Sequence, residues 1–282
     1  MNWVSAHPAL PDSKELPNDP ISALETLQQA WVSEDAEFPL SSGLVGFAGW
    51  GLTELIEKLP EKKSEDYPLP LFGFNQFSEL VVLDHQRSEL ILVSVVFLDG
   101  EATKEQKLAD ANKKLDHLQQ RISEPTKARL SEPKWPEPEF AMRSTKSEFL
   151  DAVDKAKHHV RLGDVFQVVI SQRFDQNVSA DSLDVYSSLR AINPSPYMYL
   201  TRWEDEDGEF SIVGSSPEAL IKVSGDHVVT HPIAGSRLRG KDTAQDIQLA
   251  EDLMADAKER SEHLMLVDLA RNDLLKVCEP SS

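Results

Sequence analysis

Residues 123–140 contain four prolines and divide the chain into two parts with different hydropathy patterns. Proline has no backbone N–H and disfavours helical conformation at the residue before it, so this segment does not support a continuous helix or a central strand. The 282 residues also match two domains of ordinary size, which have roughly 100–200 residues each. We therefore expect a first domain over residues 1–130, a linker over 131–143 and a second domain over 144–282.

The first part combines short apolar runs with one long amphipathic segment. Residues 80–83 and 90–98 are apolar and flank a polar segment, which predicts a strand, a turn and a strand. The glycine-rich segment 43–51 matches neither GxGxxG nor GxxxxGK[ST], and we interpret it as a buried strand. Residues 103–122 are predicted to form a surface helix, since apolar residues recur there at helical spacing: Leu108, Ala111, Leu115, Leu118 and Ile122.

The second part alternates predicted strands and helices. Thr145 and Glu148 fit a capping box, which predicts a helix that ends near Gly163. A further helix is predicted over 182–190 and a long one from 244 to about 272. The predicted strands cover 165–171, 197–203 and 211–214, followed by a hairpin around Gly225. The segments 165–171, 197–203 and 220–233 are apolar enough to be interior. Runs of strands followed by long helices favour an α+β, or mixed α/β, fold.

The charge and cysteine content exclude several classes of protein. With 48 acidic and 29 basic side chains, the net charge of −19 repels nucleic-acid phosphates and anionic membrane surfaces. The single cysteine, Cys278, cannot form an internal disulfide, and the N-terminus has no secretory pattern. The longest apolar run, 90–98, is about half of the ~20 residues that span a bilayer. We expect a cytoplasmic protein without nucleic-acid or membrane partners.

Three groups of residues in the second part are candidates for catalysis or ligand binding. Glu259 and Glu262 are three residues apart in a predicted helix, so both carboxylates lie on one face and could hold Mg²⁺. A solvated charged face is the alternative interpretation. Residues 234–240 (AGSRLRG) could bind a carboxylate through backbone N–H groups and two guanidiniums, or could form an ordinary basic loop. Glu218 follows a predicted strand and could donate a proton, or could simply begin a helix.

Five linked motifs in the second part resemble the chorismate-utilising enzymes, and among them the anthranilate synthase component I family. These motifs are DVFQVVISQRF (164–174), NPSPYM (193–198), GSSPE (214–218), PIAGSR (232–237) and KERSEHLMLVDLARND (258–273). In the first part, LVGFAGW (44–50) is similar to that family's N-terminal region. The resemblance implies an antiparallel-sheet chorismate-binding fold.

The resemblance also implies a reaction, in which chorismate and ammonia from glutamine give anthranilate and pyruvate during tryptophan biosynthesis. Glu218 would be the general acid for the chorismate C4 hydroxyl. Glu259 and Glu262 would belong to a Mg²⁺ site and would face a common anionic cleft with Glu218. The substrate-binding loop would consist of Ala234, Gly235 and Ser236. A glutamine amidotransferase subunit would be the partner, and tryptophan would be an inhibitor bound by Asn193, Pro194, Pro196, Tyr197 and Met198.

Two positions favour one branch of this family. Gln167 stands where the hydroxylating relatives have a lysine that activates water, and an amide cannot act as that base. Ala234 stands where many aminodeoxychorismate synthases have a lysine that can form a covalent adduct. Both residues therefore favour ammonia as the nucleophile and anthranilate as the product. Aminodeoxychorismate synthase component I of the folate branch is the alternative.

The sequence also departs from the family pattern. The family chain normally begins upstream with an inhibitor-site segment and continues beyond Asp273 with a catalytic histidine and a further metal-binding glutamate. Leu275 replaces the glycine that usually follows the Arg-Asn-Asp motif. We therefore expect a fold that is incomplete at the C-terminus and a chain that is inactive alone. A non-catalytic remnant or binding module is the remaining alternative.

Overall fold

The computed structural model describes residues 2–7, 15–30, 43–60, 67, 69–98, 100–126, 140–280 and 282. The chain forms two compact units, an N-terminal unit, Met1–Leu130, and a C-terminal unit, Ser131–Ser282. Each unit contains both helices and antiparallel strands, so the predicted α+β fold is confirmed. None of the helices in the described ranges is both long and apolar enough to cross a membrane.

The N-terminal unit is built on a three-stranded sheet and one long helix. The sheet has the order β1-β5-β4, with β1 parallel and β4 antiparallel to β5, and a separate antiparallel pair joins β2 to β3. A 3₁₀ helix, Trp50–Leu55, follows β2. The elements are β1 (Asn2–His7), α1 (Pro20–Ala30), β2 (Leu44–Ala48), β3 (Phe72–Gln76), β4 (Glu79–Asp84), β5 (Glu89–Phe97) and α2 (Lys104–Ser123).

The core of the N-terminal unit lies on both faces of β5. Successive side chains of a strand point to opposite faces, so Ile91, Val93 and Val95 form one cluster while Leu92 packs with residues of α2 on the other face. The predicted apolar stripe of α2 supplies the helix side of this contact, with Ala111, Leu115 and Leu118 buried. The strand-turn-strand and the surface helix predicted from the sequence are both confirmed.

The C-terminal unit consists of two-stranded ribbons and four α-helices among its described residues. Its antiparallel ribbons are β6–β7, β8–β9 and β10–β11. The elements are β6 (Ala141–Met142), α3 (Lys146–Leu162), β7 (Phe174–Asp175), α4 (Ser182–Ile192), β8 (Tyr197–Asp205), β9 (Gly208–Ser216), β10 (Lys222–Ser224), β11 (His227–Val229), α5 (Thr243–Ala255) and α6 (Ala257–Leu275). The capping box at Thr145 and the hairpin around Gly225 are confirmed.

The β8–β9 ribbon includes one close approach that only glycine permits. Gly214 lies directly opposite Tyr199 across the ribbon. A Cβ atom at position 214 would come within 2.2 Å of the Tyr199 ring. The tyrosine ring therefore lies over the glycine backbone, near the end of β9 that leads to Glu218.

Three expectations for the C-terminal unit are wrong. Residues 165–171 do not form a strand, since no described strand lies beside them to supply backbone hydrogen bonds. The long helix expected from 244 to 272 is two helices, because the backbone turns at Asp256. Residues expected in the interior are exposed, among them Phe166 at 90% and Leu220 at 91%.

Candidate active site

The candidate site is organised around the first turns of α6. Asp256 precedes this helix in an extended conformation, and its Oδ1 accepts the backbone N–H groups of Lys258 and Glu259 at 2.9 and 3.2 Å. An aspartate in this position satisfies N–H groups that have no partner inside the helix. These hydrogen bonds, the largest from Glu259, lower the pKa of Asp256. The helix therefore starts at a fixed residue, which places Glu259 and Glu262 one turn apart on one face.

The loop 234–240 lies against the start of α6. Arg237 donates from Nη2 to Asp256 Oδ2 at 2.7 Å and from Nη1 to Glu259 Oε1 at 3.2 Å. The hydrogen bond to Glu259, with that to Asp256 adding to it, raises the pKa of Arg237, so its charge is permanent. Gly235 has φ +82°, and a Cβ there would lie 3.0 Å from Glu259 Oε2. Glycine thus allows both the left-handed backbone and the close approach of the glutamate.

The other end of this loop is attached to α5. Arg239 Nη1 donates to Asp246 Oδ2 at 2.9 Å, and the Gly240 backbone N–H donates to Asp246 Oδ1 at 2.8 Å. These two bonds, the second being the larger, lower the pKa of Asp246. Both guanidiniums of the loop are therefore paired with carboxylates of this chain. That this loop binds a carboxylate, through its guanidiniums or its backbone N–H groups, stays a prediction.

Gln167 reaches the second carboxylate of α6. Its Nε2 donates to Glu262 Oε1 at 3.2 Å, from the extended segment that the sequence predicted to be a strand. Neighbouring side chains of that segment, Val168 and Ile170, line a groove on α3. Each carboxylate at the start of α6 thus has one oxygen held by a donor from a different segment.

Glu218 also belongs to the C-terminal unit, in a segment other than the loop 234–240 and α6. It follows β9, where Ser216 Oγ donates to the Glu218 carbonyl at 2.9 Å. Glu218 lines a cavity of about 700 Å³ whose walls are mostly apolar, formed mainly by the segments 216–221 and 230–233, which flank the hairpin β10–β11, and by α6. Cavities of roughly 300–1,000 Å³ with few polar groups are typical of small-molecule sites.

One face of α6 connects the two carboxylates with this cavity. Leu266, Leu269 and Asp273 line the cavity, and the spacing of three and four residues places Glu259 and Glu262 on the same face. Glu262 precedes Leu266 by about 6 Å along the helix axis. The two glutamates do not themselves line the cavity. The prediction of one cleft shared by Glu218, Glu259 and Glu262 stays a prediction.

The predicted inhibitor residues form the turn between α4 and β8. Asn193 ends α4, and its carbonyl accepts a hydrogen bond from Ser215 Oγ at 2.7 Å. Pro194 and Pro196 follow, and Tyr197 and Met198 begin β8 opposite Ser216 and Ser215. The turn is therefore joined to the end of β9, two residues before Glu218.

The oxygens at the start of α6 are chemically suited to Mg²⁺. Mg²⁺ is commonly bound by one or two carboxylates, with water and an anionic ligand in its other positions. Oε1 of Glu259 and Oε1 of Glu262 accept side-chain hydrogen bonds, and Oε2 of Glu259 lies against Gly235 of the loop. No group of three His, Cys, Asp or Glu side chains close enough to hold a metal occurs in the described residues. A Mg²⁺ site at Glu259 and Glu262 therefore stays a prediction.

Sequence reasoning missed the structural importance of Asp256 and the pairing of Arg237 with it. Asp256 and Glu259 have the spacing of a capping box, which is a signal for a helix start that could have divided the long predicted helix. Arg237 gave no comparable signal, because its partners are 19 and 22 residues away.

Comparison with known proteins identifies the family of this chain. The profile of the chorismate binding enzyme family matches residues 10–282. The chain belongs to that family. It is 41% identical over its full length to anthranilate synthase component 1 of Arthrobacter globiformis and 40% identical over 96% of its length to that of Mycolicibacterium smegmatis.

A solved structure supports the fold of this family member. Anthranilate synthase component I from Streptococcus pneumoniae TIGR4 matches 86% of the chain with a TM-score of 0.72 and 30% identity. The chain covers 54% and 53% of the two curated relatives and 51% of the solved chain. It therefore spans about half the length of the relatives that it matches.

Proposed function

We propose that this chain contributes to an anthranilate synthase, in which chorismate and ammonia give anthranilate, pyruvate and water during tryptophan biosynthesis. The observation that carries the proposal is the meeting of Gln167, Gly235, Glu259 and Glu262 at the start of α6. These residues come from three separate segments, and each occupies a position that the family resemblance associates with the substrate, the nucleophile or the metal.

The chemistry assigns a distinct task to each group. Glu218 donates a proton to the C4 hydroxyl, which leaves as water while ammonia forms a bond to C2 of the ring. Loss of the C2 proton and cleavage of the C3–O bond then release pyruvate and restore the aromatic ring. Backbone N–H groups of Ala234, Gly235 and Ser236 bind a substrate carboxylate, a task suited to a loop with φ > 0 at its centre.

Mg²⁺ is part of this proposal. Glu259 and Glu262 would hold it through the Oε2 atoms, and when bound it would neutralise a substrate carboxylate. The protein contribution is the fixed spacing of the two carboxylates at the first turns of α6. The hydrogen bonds from Arg237 and Gln167 add to this by fixing the side-chain orientation.

The proposed partners follow from the same assignment. A glutamine amidotransferase subunit would supply ammonia in the cytoplasm. Tryptophan would bind at the turn formed by Asn193, Pro194, Pro196, Tyr197 and Met198. The hydrogen bond from Ser215 to Asn193 supports this part of the proposal, since it joins the turn to the strand that ends beside Glu218.

The test is the formation of anthranilate, followed by its fluorescence, with chorismate, Mg²⁺ and ammonium. We propose that these 282 residues alone give no detectable turnover, because they span about half of each relative. Adding the remaining half of the Arthrobacter globiformis relative should give activity. In that mixture Glu218→Gln should reduce kcat by about 10²–10⁴-fold, the usual contribution of a general acid. Undiminished turnover would remove Glu218 from its role, and no turnover in any mixture would favour a non-catalytic binding module.

The product identifies the nucleophile. With Gln167 present, the active mixture should aminate chorismate and not hydrate it, because an amide cannot remove a proton from water. Gln167→Lys is expected to admit some water chemistry. Chromatography of the products provides the measurement. Isochorismate as the main product of the unchanged protein would contradict the assignment, and 4-amino-4-deoxychorismate would indicate the folate branch.

A further inference from the structure

We propose that Arg237 is a positioning residue that fixes the carboxylate of Glu259 for metal binding. This inference rests on the proposed function and assigns a role to a residue that belongs to neither the substrate loop 234–236 nor the metal ligands. The structure places the Arg237 guanidinium between Asp256 and Glu259, with one nitrogen donating to each carboxylate. A single side chain therefore joins the loop, the start of α6 and the proposed metal ligand.

The geometry of the carboxylate oxygens supports this role. Arg237 engages Oε1 of Glu259, and Oε2 lies against Gly235 of the loop. The side chain of Glu259 is 21% exposed, and that of Arg237 is 30% exposed, so the pair is partly protected from water. A hydrogen bond that holds Oε1 of Glu259 also determines the direction in which Oε2 points. Carboxylates that bind metals are generally hydrogen-bonded in this way, and loss of the outer partner typically weakens metal binding 10–100-fold.

Arg239 is a matched control in the same loop. It also donates one guanidinium nitrogen to a helix aspartate, but its partner is Asp246 of α5 and its side chain is 92% exposed. Removing Arg239 breaks an attachment of the loop without touching Glu259. Effects that come only from loosening the loop would therefore appear in both variants.

The positive charge of Arg237 and its role in orienting Glu259 predict opposite changes in metal affinity when Arg237 is removed. A positive charge near a cation site repels the cation, so its removal would tighten binding if charge alone mattered. If Arg237 orients Glu259, its removal weakens binding. The direction of the change in affinity thus separates the two effects.

The experiment measures Mn²⁺ binding to the 282-residue chain by electron paramagnetic resonance. We expect Arg237→Met to weaken Mn²⁺ binding 10–100-fold and Arg239→Met to change it less than about threefold. Arg237→Lys retains the charge but not the planar fork, and it should also weaken binding. Unchanged or tighter binding in Arg237→Met would overturn the proposal.

A second measurement needs no metal. In the chain labelled with ¹⁵N-arginine, the guanidinium N–H signals of Arg237 should exchange slowly with water. Glu259→Gln or Asp256→Asn should remove this protection, whereas Glu262→Gln should not. Protection that survives both changes would overturn the proposed contact.

The two experiments also separate the failure of this proposal from the failure of the proposed function. If the unchanged chain binds Mn²⁺ no better than the Glu259→Gln/Glu262→Gln variant, the proposed function no longer includes a metal at these residues, and Arg237 has no metal-positioning role. The NMR result then decides only whether Arg237 holds Glu259.

Discussion

The N-terminal unit buries both faces of β5, whereas no residue in the described part of the C-terminal unit is buried to the same degree. In the N-terminal unit, β4, β5 and α2 follow one another along the chain, and β5 packs between β4 residues and the apolar stripe of α2. In the C-terminal unit, polar side chains such as Gln167 and Arg237 join segments that are far apart in sequence. The buried core of the first unit is thus formed by segments that are close in sequence, although β1 joins β5 from far away, while polar contacts join distant segments of the second unit.

This difference implies that the two units contribute differently to the free energy of folding and to ligand binding. Apolar burial supplies most of the free energy of folding, at roughly 25 cal/mol per Å². Polar contacts between partly exposed groups contribute much less but fix the orientation of the groups that they join. We therefore expect substitutions in the N-terminal unit to change mainly the free energy of unfolding. Substitutions at the start of α6 should change mainly ligand binding.

The largest expected effect on stability is in the N-terminal core. Leu115 is 1% exposed and packs against Leu92 and Leu118. Leu115→Ala should lower the free energy of unfolding by about 2–5 kcal/mol, because it removes buried methyl groups and leaves a cavity. Urea unfolding of the whole chain gives the measurement. The matched control is Leu220→Ala, since Leu220 is 91% exposed, and it should change stability by less than about 0.5 kcal/mol. An equal cost for both changes would show that the C-terminal apolar side chains are buried in solution.

A smaller effect is expected in the β8–β9 ribbon. Gly214→Ala places a Cβ where the Tyr199 ring lies, so the ring must move away and lose its cross-strand contact. We expect a loss of about 1 kcal/mol, the upper range for one cross-strand pair. Tyr199→Ala removes the obstacle, and the double variant should cost less than the sum of the two single variants. Additive costs would show that the ring does not lie over Gly214.

Sequence patterns predicted β4, β5 and α2 of the N-terminal unit because their contacts are local, whereas β1 and its long-range pairing with β5 were not predicted. The spacing of Leu115 and Leu118 and the apolar run in β5 define the two surfaces that meet. The capping box predicted at Thr145 is likewise encoded within four residues and is present, and the structure shows a second one at Thr103 that was not predicted.

The C-terminal unit shows where such patterns fail. The β-branched residues of 165–171 favour a strand, but a strand also needs a neighbour, and β-propensity does not supply one. The turn at Asp256 was not predicted, because the helical pattern of the sequence continues on both sides of it. The contacts of Gln167 with Glu262 and of Arg237 with Glu259 depend on the tertiary fold, so single-sequence spacing could place the candidate residues but not their partners.

The smallest expected effect compares the two capping boxes, one in each unit. Thr103 pairs with Gln106 in α2, and Thr145 pairs with Glu148 in α3, so only the second box contains an ionisable partner. The Thr145 backbone N–H, with its hydroxyl adding to the effect, lowers the pKa of Glu148. Because the folded-state pKa is lowered, the stabilisation is present above the unfolded value of about 4.3 and is lost as the pH falls through the folded pKa.

Glu148→Gln should therefore reduce the urea midpoint slightly at pH 7, and this difference should disappear as the pH falls through the lowered pKa of Glu148. The Gln106→Glu variant places an ionisable partner in the capping box of α2. It should therefore be slightly more stable than the unchanged chain at pH 7 and equally stable in acid. The free energy of unfolding, measured in urea at several pH values, checks both variants. A difference between Glu148→Gln and the unchanged chain that persists at pH 3 would show that Glu148 acts through packing and not through its charge.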